Sequence, residues 1–144
     1  MTRKDKAREL FLKGNNCAQA VFAAFSDVTK LDEDTSLLIA SSFGGGMGHI
    51  GEACGAVTGM FMAACMIFGY SENPSADNKK EHSKRIKNLA DKFKNEFGQI
   101  RCPELMKNLA DKKYILPEGP EYSARPCLIF VEKAVEILEE FLSI

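Results

Sequence analysis

The apolar residues of this chain recur at helical spacing almost from end to end. Over residues 3–13, Ala7, Leu10 and Phe11 fall on one side, and Gly14 ends the run. Asn15 offers a cap for a second helix carrying Cys17, Ala20, Val21, Ala24 and Phe25. Asp32 caps a third, DEDTSLLIASSF, whose acidic first turn suits the positive end of the helix dipole. A glycine-rich loop follows, then a fourth, strongly apolar helix from about Glu52 to Gly69. Ser75 or Asp77 opens a long fifth helix with the stripe Ile86, Leu89, Ala90, Phe93 and Phe97, closed by Gly98. A short sixth helix begins at CPELMKNL, and ADKKYILPEGPEYSA, with two prolines, reads as a loop. The last helix, within ARPCLIFVEKAVEILEEFLSI, turns Leu128, Val131, Val135, Leu138 and Leu142 inward.

No stretch alternates strictly between apolar and polar, and no Asn-Gly hairpin signal or internal repeat occurs. The pattern predicts an all-α, single-domain bundle over residues 1–144, with about six to seven helices around an apolar central helix, the fourth.

Composition narrows the function classes. With 45% hydrophobic and 27% charged residues the chain has enough apolar content for a folded core. A net charge of −1, no Trp and 9% aromatics give neither a field nor a stacking platform for nucleic acid. Residues 53–71 are uncharged and near the length of a membrane span. They contain Gly55, Gly59 and Gly69, and Glu52 and Glu72 flank them in place of basic anchors. The expectation is a buried helix and no membrane. The first residues, MTRKDKARELF, are amphipathic at once and carry no apolar leader, so a cytoplasmic protein with reduced thiols is expected.

Seven of the eleven glycines lie in residues 43–59, FGGGMGHIGEACGAVTG. The stretch contains a literal G-x-G-x-x-G from Gly46 to Gly51. A dinucleotide fold needs further strands, though, and the chain after Ser75 offers only helical periods. No lysine follows the glycines as a phosphate loop requires. Glycine has another use among helices. Gly55 and Gly59, four apart, share a face and allow another backbone close approach. Gly45, Gly46, Gly48 and Gly51 supply turns with positive φ and N–H groups that can face an anion, and a thiolate is an anion.

The five cysteines are placed unevenly. Cys17 follows a cap candidate, Cys54 lies in the first turn of the fourth helix, Cys102 precedes Pro103, and Cys127 follows Pro126. Four cysteines therefore fall at four expected helix N-termini, where unpaired N–H groups and the dipole stabilise a thiolate. Arg101 and Arg125 push the same way if they point inward. Cys65, in MAACMIF, reads as a small buried hydrophobe. No C-x-x-C pair occurs, so a thioredoxin-type dithiol, a local zinc knuckle and covalent haem attachment all lack their motif. Any disulfide or metal site must join distant segments, and three pairings of the four cysteines remain open.

These residues resemble the C_GCAxxG_C_C family of small redox-active proteins. NCAQAV around Cys17 is similar to its first element, FGGGM followed by GEACGAVTG to its second, and RCPEL and RPCLIFV to its last two. The resemblance spans roughly residues 9–135. It implies an all-helical domain similar to the haem-proximal part of split-Soret cytochromes, whose haem-binding motifs this chain lacks. It also implies a redox role, with Cys17, Cys54, Cys102 and Cys127 as the functional set.

Other residues carry less. His49, five residues before Cys54, is a candidate base or metal ligand, with a solvated loop histidine as the simpler reading. His82, among KKEHSK, is expected on an exposed face. The basic fifth helix and the acidic last helix are expected to balance each other, within the chain or between subunits of a homodimer. Three functional classes follow. The first is a thiol redox protein in which Cys54 is the leading nucleophile and one of Cys17, Cys102 or Cys127 resolves it. The second is a zinc or iron–sulfur protein with the same four cysteines as ligands. The third is a binding or structural module whose cysteines are core residues. The redox class is favoured, and its electron partner is not named by the sequence.

Overall fold

The computed structural model describes residues 1–144 as nine helices with no strand. These are α1 (Arg3–Leu12), α2 (Cys17–Ala24), α3 (Ser26–Thr29), α4 (Glu33–Ala40), α5 (Gly55–Phe68), α6 (Ala76–Phe97), α7 (Cys102–Ala110), α8 (Pro120–Ala124) and α9 (Leu128–Leu142). The all-α expectation holds. The count exceeds six to seven because α3 and α8 are pieces of about one turn, too short to show a period.

Side-chain caps set most starts. Thr2 opens α1 and Ser75 opens α6, each in a reciprocal capping box, and Asp32 Oδ2 accepts from Thr35 N at α4. At α2 the cap is Asn16 rather than Asn15. Asn16 exchanges hydrogen bonds with Gln19, while Asn15 turns back and donates to the Leu10 carbonyl at the end of α1. Gly98, at φ 78°, closes α6 as expected.

The centre of the bundle is α2. Six of its eight residues are buried, and it touches α1, α3, α4, α5 and α9. The apolar α5, expected at the centre, packs on α2, α3, α6 and α9 but leaves Cys65 and Met66 exposed on its outer side. Glycine sets the closeness of the α2–α5 seam. A Cβ on Gly59 would stand 2.8 Å from the Ala18 carbonyl oxygen, and one on Gly55 would stand 2.9 Å from Ala18 N. Only hydrogen fits at either place.

Charge pairing departs from expectation. The acids of α9 meet α1: Glu139 pairs with Arg3, Glu136 with Lys4 and Glu132 with Arg8. Only Lys133–Glu96, at 3.9 Å, links α9 to α6, and that pair has the opposite polarity to the one expected. The N-terminal helix packs along α9 and brings its cations into reach first. No helix is long and apolar enough to cross a membrane.

Candidate functional site

Four helices begin around one cavity. Cys17 is the first residue of α2, Cys54 the cap of α5, Cys102 the first residue of α7 and Cys127 the cap of α9. All four line a cavity of about 340 Å³, together with Gly45, His49, Gly55, Leu105, Met106 and Phe130. A larger groove of about 470 Å³, between α1, α9 and residues 113–117, contains no cysteine.

A two-bond bridge assembles the inner wall. Cys54 N donates to the Ile100 carbonyl at 2.7 Å, and Cys102 N donates to the Glu52 carbonyl at 2.8 Å. Residues 52–54 thus pair with residues 100–102 instead of extending α5 back to Glu52. The glycine loop packs on this bridge. A Cβ on Gly46 would lie 2.7 Å from Glu52 N and 2.9 Å from Cys102 Cβ, so the loop backbone rests on the cysteine. Gly51 sits over Pro103, Gly48 lies near the Ser42 carbonyl, and Gly59 is a turn further along the α2–α5 seam. The amides of Met47, His49 and Glu52 bond to carbonyls of Phe43, Gly44 and Gly46 within the same stretch. The amides nearest Cys54 belong to Ala56 and Val57, in the first turn of α5, and Val57 N donates to the Cys54 carbonyl at 2.9 Å.

The four thiols share an address but not an acidity. Cys54 is 4% exposed. Burial pushes its pKa up to about 12, and the nearby amides of Ala56 and Val57 only soften that rise. Burial also raises Cys102, with a further push from Cys127. Cys17 is raised well above the ordinary thiol value, first by the neighbouring Cys127 thiol and then by burial. Cys127 alone is lowered, first by the neighbouring Cys17 thiol and further by the Arg125 charge, against an opposing effect of burial. The two thiols thus act on each other in opposite directions, with Cys127 the more acidic of the pair. Cys127 Sγ donates to Met106 Sδ, a weak acceptor, at 3.2 Å. Arg101 does not lower its neighbour Cys102, because it turns outward to Glu104 and the Gly51 carbonyl.

His49, at φ 60°, lies on the cavity wall with its side chain exposed and its ring close to Gly45. All five cysteines are free thiols, and no three His, Cys, Asp or Glu side chains converge as a metal site requires.

Outside the cavity, Cys65 and His82 exchange their expected places. Cys65 is exposed, while His82 is buried, its Nε2 lies 3.6 Å from Cys65 Sγ and its ring packs edge-on against Tyr70. Leu105, Met106 and Phe130 are the lining residues that the cysteine pattern passed over. Helical spacing locates them: Leu105 and Met106 lie three and four residues after Cys102, and Phe130 lies three after Cys127.

Four thiols from four distant segments gather around one cavity. The family model described as "Putative redox-active protein (C_GCAxxG_C_C)" matches residues 15–141. The chain belongs to this family. The matched span encloses all four cavity cysteines and the glycine loop. No curated protein and no solved structure matches the chain.

Proposed function

We propose that this member of the C_GCAxxG_C_C family is a thiol–disulfide redox protein whose working pair is Cys127 and Cys17. The observation that carries this reading is the placing of Cys17 and Cys127 together on the wall shared by two adjoining cavities, with Arg125 beside them, and the opposed directions of their acidities agree with it. A thiolate is the attacking species, and Cys127 is the cavity cysteine whose thiolate is favoured. In this reading Cys127 replaces Cys54 as the nucleophile. With a pKa of about 12, only about one Cys54 in 10⁵ is ionised at pH 7.

The chemistry balances in two exchanges. The Cys127 thiolate attacks one sulfur of a disulfide, the substrate S–S bond breaks, and the far sulfur leaves as a thiolate. Cys17 then releases its proton to solvent and attacks the Cys127 sulfur, expelling the second substrate thiolate. The protein dithiol loses two electrons and the disulfide gains them. Cys54, Cys102, Leu105 and Phe130 form the apolar inner wall that keeps bulk water from the mixed disulfide.

The test is the alkylation rate of each cysteine as a function of pH, read by mass spectrometry on protein purified without air. Cys127 should be the fastest-labelled cavity thiol near neutral pH. Faster labelling of Cys54 would overturn the assignment. About one zinc per chain, or iron with matching sulfide, would replace the dithiol reading with one in which the same four cysteines are ligands.

A further inference from the structure

The thiol cavity has an antechamber. A second cavity of about 300 Å³ shares Cys17, Gly45, His49, Met106 and Cys127 with the first and extends outward to Arg125. The two volumes therefore meet at the Cys17–Cys127 pair, with the apolar wall inside and the arginine outside.

The charge around this antechamber is one-sided. No Asp or Glu lines either cavity. Arg3, Arg8 and Arg101 are each held by carboxylates, whereas Arg125 enters no ion pair. Its guanidinium lies 3.7 Å above the Phe11 ring centroid, and Nη1 donates to the Phe11 carbonyl. That stack fixes the plane of the group and leaves most of its five N–H donors unspent. The neighbouring Asn16 offers no competing site, because its side chain caps α2 and donates to the Ser41 carbonyl. A half-buried, oriented and unpaired guanidinium beside a reactive sulfur is suited to a carboxylate.

We infer that the substrate of this site is a small disulfide carrying a carboxylate, which Arg125 holds in the outer cavity while a sulfur of the disulfide meets Cys127. This rests on the assignment of Cys127 as nucleophile. The carboxylate docks on Arg125, the Cys127 thiolate attacks the nearer sulfur, and the negative charge passes from Cys127 to the departing thiolate. No further oxidant or reductant is needed for this single turnover.

Three disulfides of similar length provide the probe: dithiodipropionate (anionic), hydroxyethyl disulfide (neutral) and cystamine (cationic). The rate of mixed-disulfide formation is read at the Cys127 peptide, in a Cys65→Ser background that removes the exposed thiol. The expected order is anionic, neutral, cationic, with about five- to tenfold between the first two at low salt and a smaller gap at high salt. Using the ratio at one pH cancels any change in thiolate fraction. Arg125→Gln should bring the ratio to about one, Arg125→Lys should retain part of it, and Arg85→Gln, at a remote arginine stacked on Phe68, should leave it unchanged. A net charge of −1 means the chain as a whole does not favour the anion. A wild-type ratio near one, with Cys127 still reacting, overturns the inference and leaves the nucleophile in place. Reaction at another cavity cysteine in preference to Cys127 overturns both. If Arg125→Gln does not fold, the order and salt dependence in the wild type decide the question.

Discussion

The inner and outer walls of the cavity use the same local device and reach opposite results. Cys54 and Cys127 both cap a helix, so both sulfurs sit at the positive end of a dipole. At Cys54 burial outweighs the nearby amides of Ala56 and Val57, and the thiol stays protonated to about pH 12. At Cys127 burial also acts, but a second thiol and a guanidinium reverse its sign. A helix N-terminus therefore does not make a reactive cysteine by itself. Dipole effects of about 0.3–1 kcal/mol lose to desolvation unless a specific donor or charge adds to them.

The strongest way to break this comparison is to part the two walls. Gly55→Val drives a side chain against Ala18 N and the Cys17 Cβ, where the walls join. It should destabilise the fold by about 1–3 kcal/mol or more in urea unfolding. A variant as stable as the parent would show that the seam is not close-packed.

Single serine substitutions sharpen the contrast. Cys127→Ser should remove the fast cavity thiol and slow alkylation of that site class by at least about tenfold at neutral pH. Cys54→Ser should leave the Cys127 rate within about twofold, since a thiol protonated to about pH 12 contributes almost no thiolate.

Alkaline pH probes the inner wall through stability. Cys54 is held protonated in the fold, while the unfolded chain releases that proton near the ordinary thiol value of about 8.5. Its contribution is complete below that value. It then declines by up to about 1.4 kcal/mol per pH unit as pH rises towards the folded value of about 12. Cys54→Ala should therefore flatten the loss of stability between about pH 8.5 and 10.5. An unchanged slope would mean that Cys54 is less buried than described. Cys127 has the opposite sign, and its contribution is lost as pH falls through its lowered value.

The smallest effects rank the causes at Cys127. Cys17→Ala should move the pH profile of Cys127 alkylation upward, and Arg125→Gln should move it upward by less, because the neighbouring Cys17 thiol is the larger influence. The reverse order would make the arginine the principal activator.

Much of the fold was legible because helical period and caps are local. The stripes of α6 and α9, the Asp32 and Ser75 caps and the Gly98 stop all lie within a turn of the residues that reveal them. The four-cysteine address was legible for the same reason. The acidities were not, because the burial of Cys54 and the meeting of Cys17 with Cys127 are set by contacts across more than one hundred residues in the second case. Cys65 and His82 changed places because the apolar sequence around Cys65 suggested burial and the charged one around His82 suggested exposure. The outer side of α5 and the inner side of α6 are the reverse at those two positions. The α1–α9 ion pairs depend on which helices become neighbours, which charge composition does not encode.

The most direct measurement is the connectivity of the disulfide formed when the reduced protein is treated with one equivalent of a small disulfide, mapped by mass spectrometry under acid quench. The account predicts a Cys17–Cys127 bond as the first intramolecular product, with Cys54 and Cys102 still reduced. A bond containing Cys54 as the first product would contradict it.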